Sequence, residues 1–321
     1  MVDDQVVVDE PSIVAMNRRT NETIAVGHRA MQMHEKTHEN IKTVRPLKDG
    51  VIADFQAAEA MIQHMIRMVG RRNSIFGHLK MVICIPSGIT EVEKRAVFDS
   101  ADHVDSKETY LIHEPMAAAL GIGLNIEEPV GNMIIDIGGG TTEIAVIALS
   151  GIVCDESIRI AGDELTNDIM GYMKREHNIL IGERTAEQIK IHAGSALHEL
   201  ENPPADYAVN GRDLMTGIPK QIRINYQEVA YALDKSVSKI EDAVLRALES
   251  TPPELASDIY KTGLYLTGGG ALLRGLDKRL EQKTKLAVHI ADDPLRAVVR
   301  GTGMALRNTH TYSFLIDRKS V

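Results

Sequence analysis

The segment Met133–Leu149 contains residues whose types and spacing suit phosphate binding. Its sequence is MIIDIGGGTTEIAVIAL, in which three glycines and two threonines stand between apolar runs, with Asp136 on one side and Glu143 on the other. Glycines let a turn bring several backbone N–H groups into one concavity for phosphate oxygens, and threonine hydroxyls add donors without bulk. A carboxylate just before the turn suits Mg²⁺, which prefers oxygen ligands and keeps several waters.

The apolar runs on either side of the glycines predict a β-hairpin. Asp136 would end its first strand and face the metal through water. A bare run of three glycines is better explained as a tight hairpin with a solvated aspartate, but the full string DIGGGTTE is much more specific for phosphate. The candidate binding residues at the hairpin tip are Gly138, Gly139, Gly140, Thr141 and Thr142.

Length and composition describe a globular protein of about two domains. The chain has 321 residues, of which 44% are apolar and 25% are charged. Its formal net charge of −9 argues against a general nucleic-acid-binding protein, which needs clustered cations. Cys84 and Cys154 have no CxxC partner, which favours reduced thiols and a cytosolic protein. The sequence lacks an apolar run of the roughly 18 residues that a membrane span needs, and it shows no signal peptide.

Three further segments carry candidate site residues. Gly263–Leu276 predicts a strand, a glycine turn and a helix, which can bring backbone amides to a nucleotide. Glu114 precedes a helix that starts with proline, and a carboxylate there is already explained by the helix dipole. In the third segment, Thr185 with Gln188 predicts a capping box. The candidates at the second glycine turn are Gly268, Gly269, Gly270 and Leu272.

Glu187 and Lys190 lie three residues apart on one face of the helix predicted in that third segment. On the residues alone, a solvated ion pair is the simplest interpretation, and such a pair contributes only a few tenths of a kcal/mol, roughly. Gly162 and Asp163 form a turn that opens the preceding predicted helix.

Taken together, these segments resemble the actin-like ATPase superfamily and, within it, the MreB family of bacterial rod-shape proteins. DIGGGTTE resembles the phosphate-2 motif, and HEPMAAALG resembles the helix that connects the two domains. RPLKDGVIAD, IGERTAEQIK and TGGGALLRGLD match further family segments in the same order. The resemblance extends from Val6 to Leu306. It implies an α/β actin-like ATPase fold, with two ribonuclease H-like domains, each carrying a smaller subdomain, around a nucleotide cleft.

The resemblance also implies subdomain boundaries. Subdomain IA would comprise 1–14, 48–127 and 295–321, and IB would comprise 15–47. Subdomain IIA would comprise 128–163 and 228–294, and IIB would comprise 164–227.

Residue roles follow from the same resemblance. Glu114 would activate the water that attacks the γ-phosphate, and Thr141 would help to position that water. The Gly162–Asp163 turn would line the cleft, and Glu187 with Lys190 would contact the ribose and base. The implied cofactors are ATP, with GTP as an open alternative, and Mg²⁺ held by Asp136 through water.

A loop with two arginines and two bulky apolar residues is a candidate for contact with a membrane. It either packs against its own domain, or it inserts Ile75 and Phe76 at a membrane while Arg71 and Arg72 meet anionic head groups. The resemblance favours the second interpretation. It also implies further copies in paired protofilaments, the inner face of the cell membrane and wall-elongation proteins such as MreC and RodZ as partners, and therefore a cytoplasmic, peripheral location.

The family's first strand and its phosphate-1 loop have no counterpart before Val6, and Gln5–Val8 predicts a short first strand. We expect a bacterial actin-like cytoskeletal protein whose ATP-dependent, membrane-associated filaments direct cell-wall synthesis and maintain rod shape. It would be a slow ATPase if that loop is not essential. The alternatives are a truncated, non-catalytic structural remnant of the same fold and a small-molecule kinase of the superfamily.

Overall fold

The computed structural model describes residues 5–70, 79–104, 106–313 and 316–318. Within these ranges no helix is long and apolar enough to cross a membrane. By its internal contacts the chain divides into two compact units, Met1–Gly121 with Val298–Val321, and Ile122–Ala297.

The helices and strands of the described residues are numbered in chain order. The strands are β1 Val14–Asn17, β2 Thr23–Val26, β3 Ile41–Val44, β4 Leu47–Lys48, β5 Val51–Ile52, β6 Leu79–Ile85, β7 Ser106–His113, β8 Asn132–Ile137, β9 Thr142–Ala148, β10 Gly151–Ile158, β11 Ile179–Leu180, β12 Tyr207–Asp213, β13 Pro219–Ile224, β14 Leu264–Thr267, β15 Val288–Ile290 and β16 Ile316–Arg318. The helices are α1 His28–Met33, α2 Phe55–Val69, α3 Glu91–Asp102, α4 Glu114–Gly121, α5 Gly162–Glu176, α6 Glu183–Ala193, α7 Tyr226–Glu249, α8 Pro253–Thr262, α9 Leu276–Thr284 and α10 Ala297–Arg307.

The first unit begins with a three-stranded antiparallel sheet in the order β2-β1-β3. Successive side chains of a strand face opposite sides of its sheet. Val14 and Met16 of β1 accordingly pack with Ala57 of α2. Ala15 packs with Ala30 of α1. The alternation in β1 therefore gives this small sheet one helix on each face.

A second sheet of the first unit has the order β16-β7-β6. Strands β6 and β7 are parallel, with α3 between them in the chain, and β16 is antiparallel to β7. Helix α3 starts with a capping box, in which Thr90 and Glu93 each accept the other's backbone N–H. Helix α4 follows β7 without a loop, so β7 fixes where Glu114 begins that helix.

Helices α4 and α10 approach each other closely at Gly301. A Cβ atom built there would lie 1.8 Å from the Ala117 carbonyl oxygen and 2.9 Å from the Gly121 nitrogen. The neighbouring Arg300 donates its Nε–H to the Gly121 carbonyl at 3.1 Å. Only glycine therefore permits this contact between the two helices.

The larger sheet of the second unit has the order β10-β9-β8-β14-β15. Strands β8, β14 and β15 run parallel, whereas β9 and β10 continue from β8 as antiparallel neighbours. The predicted hairpin is present as β8 and β9. Ile135, Ile144 and Leu266 lie on the face that packs in one core with α5 and α7, where Leu165 and Val237 are buried.

A smaller sheet of the second unit has the order β11-β12-β13 and packs with α6. The predicted capping box at the start of α6 is wrong, because the helix begins at Glu183 with Gly182 as its N-cap. Thr185 thus lies inside the first turn. The strand predicted at Gln5–Val8 is also wrong, since Gln5 makes a single bridge and residues 6–8 lie outside any strand. β-Branched residues favour a strand only where a neighbouring strand pairs with them.

We expect Gly301→Ala to destabilise the protein by roughly 2 kcal/mol or more, because α4 and α10 must separate to admit the methyl group. In an open helix interior the same exchange would instead stabilise by up to about 1 kcal/mol. Gly171→Ala in α5 is the matched control, since its Cβ would meet only the flexible end of Arg175, at 2.9 Å. Denaturant unfolding compares the two variants. Equal stability of Gly301→Ala and the parent would contradict the close approach.

Candidate functional site

The first glycine turn joins β8 to β9. The N–H of Gly138 donates to the Thr141 carbonyl at 2.9 Å and closes the turn. Within the described residues, the amides of Gly139 and Gly140 make no hydrogen bond to a backbone carbonyl. Gly139 is exposed and Gly140 is half-buried. Both amides are therefore available to an oxygen-rich ligand.

The start of α5 fixes this turn from one side. Gly162 donates its N–H to the Gly138 carbonyl at 3.1 Å, and Asp163 donates to the Gly139 carbonyl at 2.8 Å. In a trans peptide the carbonyl of one residue and the N–H of the next point in opposite directions. The N–H groups of Gly139 and Gly140 therefore point away from α5, which gives the turn one face lined with donors.

Thr142 has a structural role in the same arrangement. Its side chain is fully buried, and its hydroxyl donates to the Ile160 carbonyl at 2.7 Å. This bond ties the start of β9 to the segment just before α5. Thr141, the last residue of the turn, is also buried, with 6% of its surface exposed.

The second glycine turn lies beside the first because β14 pairs in parallel with β8, with Thr267 opposite Asp136. Gly268 has φ +80°, and a Cβ atom there would lie 2.4 Å from the Ile137 carbonyl oxygen and 2.5 Å from an Asp136 carboxylate oxygen. A Cβ atom at Gly270 would lie 2.2 Å from Cγ2 of Ile137. The second glycine turn thus packs against the end of β8, just before the first turn, through positions that only glycine can occupy.

The chain after Gly268 forms a 3₁₀ turn over Gly269–Leu272, and α9 begins only at Leu276. The predicted direct passage from glycine turn to helix is therefore incomplete. Gly275, which has φ +75° and precedes α9, separates the two helical segments. Leu272 is 55% exposed.

Two acidic side chains are buried next to the first turn. Asp136 is 5% exposed and lies opposite Glu143, which is fully buried. Burial, and secondly the charge of Glu143, raise the pKa of Asp136 to about 7. The Ser157 hydroxyl donates to Oε1 of Glu143 at 2.6 Å.

This donor set suits Mg²⁺ better than a metal that needs a full protein shell. The described residues contain no group of three or more His, Cys, Asp or Glu side chains that could hold a metal ion. Mg²⁺ keeps several waters and takes one or two carboxylates together with substrate phosphates. One buried carboxylate at Asp136, next to a turn lined with donors, fits that requirement.

Glu187 and Lys190 form more than a solvated ion pair. Lys190 Nζ lies 2.7 Å from Glu187 Oε2 and also donates to the Gly162 carbonyl at 2.7 Å. The Thr166 hydroxyl lies 2.8 Å from Glu187 Oε2 and 3.0 Å from Lys190 Nζ. The cluster therefore fastens α6 to the first turn of α5. Thr166 was not predicted, although its position four residues after Gly162 on the helix was available as a signal.

The second unit thus brings together most of the predicted site residues: the first glycine turn, Asp136, Gly162 with Asp163, the second glycine turn, and Glu187 with Lys190. Glu114 belongs to the first unit, where it is the half-buried first residue of α4. The predicted membrane residues Arg71, Arg72, Ile75 and Phe76 lie outside the described residues.

Comparison with solved structures defines the class of protein. MreB5 of Spiroplasma citri bound to ADP superposes with a TM-score of 0.90 at 39% identity, covering 96% of this chain and 92% of that one. The same protein bound to AMPPNP gives a TM-score of 0.89. The MamK double helical filament gives 0.77 at 20% identity, covering 94% of this chain and 91% of that one, a likeness of fold alone. The chain has the actin-like fold.

Sequence comparison defines the family. The model for MreB/Mbl protein matches residues 1–313. The cell shape-determining protein Mbl of Bacillus subtilis is 45% identical over 303 residues, covering 94% of this chain and 90% of Mbl. The cell shape-determining protein MreB of Escherichia coli K12 is 46% identical over 305 residues, covering 94% and 87%. The chain belongs to the MreB/Mbl protein family.

Family membership confirms the predicted actin-like fold and the predicted bacterial cytoskeletal role in cell shape. The ADP and AMPPNP in the Spiroplasma citri protein agree with the predicted class of cofactor.

The raised pKa of Asp136 predicts a pH-dependent cost to stability. Because the folded state holds this proton more tightly than the unfolded state, the free energy of unfolding falls as pH rises from about 4 to about 7. Asp136→Asn removes that loss. We expect the variant's gain over the parent to be roughly 2 kcal/mol larger at pH 8 than at pH 5, measured by urea unfolding in EDTA without nucleotide. A gain that is equal at both pH values would contradict the burial of a charged carboxylate.

Proposed function

We propose that this chain is the subunit of an ATP-dependent cytoskeletal filament. ATP with Mg²⁺ binds at the two glycine turns, and the subunits then add to one another in paired protofilaments. The filaments lie at the inner face of the cell membrane, guide cell-wall synthesis and maintain rod shape. The observation that carries the proposal is that the second glycine turn packs against the end of β8 while α5 holds the first turn, which leaves donors on one face and a buried acid beside them.

The geometry of the second unit supports specific roles for its residues. The amides of Gly139 and Gly140 donate to phosphate oxygens, and the second glycine turn adds the amide of Gly269, which also has no backbone acceptor among the described residues. Asp136 holds Mg²⁺ through water. When bound, the metal neutralises charge on the phosphates.

The remaining site residues handle the nucleoside, the cleft and the attacking water. Glu187 and Lys190 contact the ribose and base. Their hydrogen bonds to α5 fix their position relative to the first glycine turn. Gly162 and Asp163 line the cleft. Glu114 accepts a proton from the attacking water, and the buried Thr141 helps to position it. The proposed hydrolysis is slow, and its catalysis relies on positioning rather than on covalent chemistry.

The membrane and partner proposals rest on the family. The arginines at 71 and 72 meet anionic lipid while Ile75 and Phe76 insert. A two-residue wedge binds weakly, so many subunits of one filament must bind together. MreC and RodZ are the proposed wall-elongation partners. ATP is the proposed nucleotide because adenine nucleotides occupy the related Spiroplasma citri structures.

Sedimentation tests the filament proposal. The parent should pellet with ATP and Mg²⁺ and stay in the supernatant with EDTA. Gly139→Ala should keep the parental stability within about 1 kcal/mol, because the nearest atom to its Cβ is a carboxylate oxygen of Asp163 at 4.0 Å. It should lose at least about tenfold in ATP affinity and no longer pellet, since a methyl group takes space between the turn and the start of α5, where the proposed cleft is lined. Nucleotide-independent pelleting of the parent would contradict the proposal.

Turnover tests the role of Glu114. We expect Glu114→Ala to lower the rate of phosphate release by about a hundredfold or more, within the range for a positioned acid or base. Binding of ATP, measured by calorimetry, should stay at the parental level, because the phosphate donors belong to other residues. A parental rate in this variant would remove Glu114 from the mechanism.

A further inference from the structure

Four polar residues form a row across the larger sheet of the second unit. Ser157 of β10 lies opposite Glu143 of β9, Glu143 lies opposite Asp136 of β8, and Asp136 lies opposite Thr267 of β14. Residues directly opposite one another on neighbouring strands share a face of the sheet and interact. Apart from these positions and Asn132 and Thr142 at strand ends, β8 and β9 consist of buried apolar residues.

Glu143 lies at the centre of this row, and the proposed nucleotide site does not use it. It is fully buried, which is rare for a glutamate. The hydroxyl of Ser157 holds one of its oxygens at 2.6 Å. If the row served stability alone, apolar residues of similar volume would serve as well or better. A buried carboxylate next to a second buried carboxylate instead favours a cation, which relieves the cost of both.

A second observation indicates the same cation. Only 5% of the surface of Asp136 is exposed, and its carboxylate has no hydrogen-bond partner among the described residues. One of its oxygens would lie 2.5 Å from a Cβ atom at Gly268, the first residue of the second glycine turn. Asp136 is therefore the carboxylate of the row that a ligand at the glycine turns would meet first.

We propose that Glu143 is a positioning residue for the divalent metal of the bound nucleotide, and that Ser157 holds its carboxylate in place. This inference rests on the proposed function and deepens it. Asp136 faces the metal through water, and Glu143 adds a fixed negative charge one strand away. By Coulomb attraction, two adjacent buried carboxylates draw a divalent cation more strongly than one. The row thus extends the metal site to the edge strand β10.

The test compares the affinity for ATP in Mg²⁺ with the affinity in EDTA, by calorimetry on the full chain. We expect Glu143→Gln to lower the ratio of the two affinities about tenfold and Ser157→Ala to lower it about threefold, as for other residues that support a metal from its outer shell. The affinity in EDTA should not fall, since neither change removes a phosphate donor.

Ser236→Ala is the matched control. Buried Ser236 also donates its hydroxyl to a carboxylate in the second unit, that of half-buried Asp168 on α5, which lies outside the row. The Ser236→Ala variant should keep the parental ratio of ATP affinity in Mg²⁺ to ATP affinity in EDTA, even if its stability changes. A change in the ratio for Ser157→Ala but not for Ser236→Ala would therefore assign the effect to the row.

The outcomes separate this inference from the proposed function. A parent that binds ATP equally with and without Mg²⁺ overturns both. A parent with metal-dependent binding, and variants of Glu143 and Ser157 that keep its ratio, overturns the role of Glu143 alone, even if their melting temperatures fall. Should Glu143→Gln fail to fold, Ser157→Ala decides, because it removes one hydroxyl from a half-buried position on an edge strand.

Discussion

The parallel pairing of β8 with β14 is the constraint on which the candidate site depends. It places two glycine turns, far apart in the sequence, at the same edge of one sheet, where ligands of α/β proteins commonly bind. The second turn packs so closely on the end of β8 that no side chain fits at Gly268 or Gly270. The start of α5 then turns the carbonyls of the first turn to one side, so that the amides of Gly139 and Gly140 face the other. The donor face of the first turn is thus a consequence of backbone packing rather than of any one side chain.

The same arrangement has an electrostatic cost. Asp136 and Glu143 are buried side by side, and burial raises the pKa of Asp136. Carboxylates in such a setting destabilise the ligand-free fold at neutral pH, and a bound cation offsets that cost. Strongly perturbed groups cluster at functional sites for this reason. With the proposed metal bound, the stability of the second unit would be coupled to nucleotide and metal through two acids rather than one.

Sequence reasoning predicted the features that depend on local pattern. The hairpin around Gly138 follows from residues close together in the chain. Features that depend on register between distant segments were missed. Glu143 was visible in the motif, but its pairing with Ser157 needed the third strand. The contact at Gly301 and the part of Thr166 in the α5–α6 cluster likewise needed the fold.

The glycine turns of this chain are proposed to bind ATP with Mg²⁺. Titration of the 321-residue protein with ATP in a calorimeter, with Mg²⁺ and then with EDTA, measures this binding. We expect one site per chain and binding at least about tenfold tighter with the metal. The absence of binding heat from a folded chain, with normal binding by the related Spiroplasma citri protein under the same conditions, would contradict it.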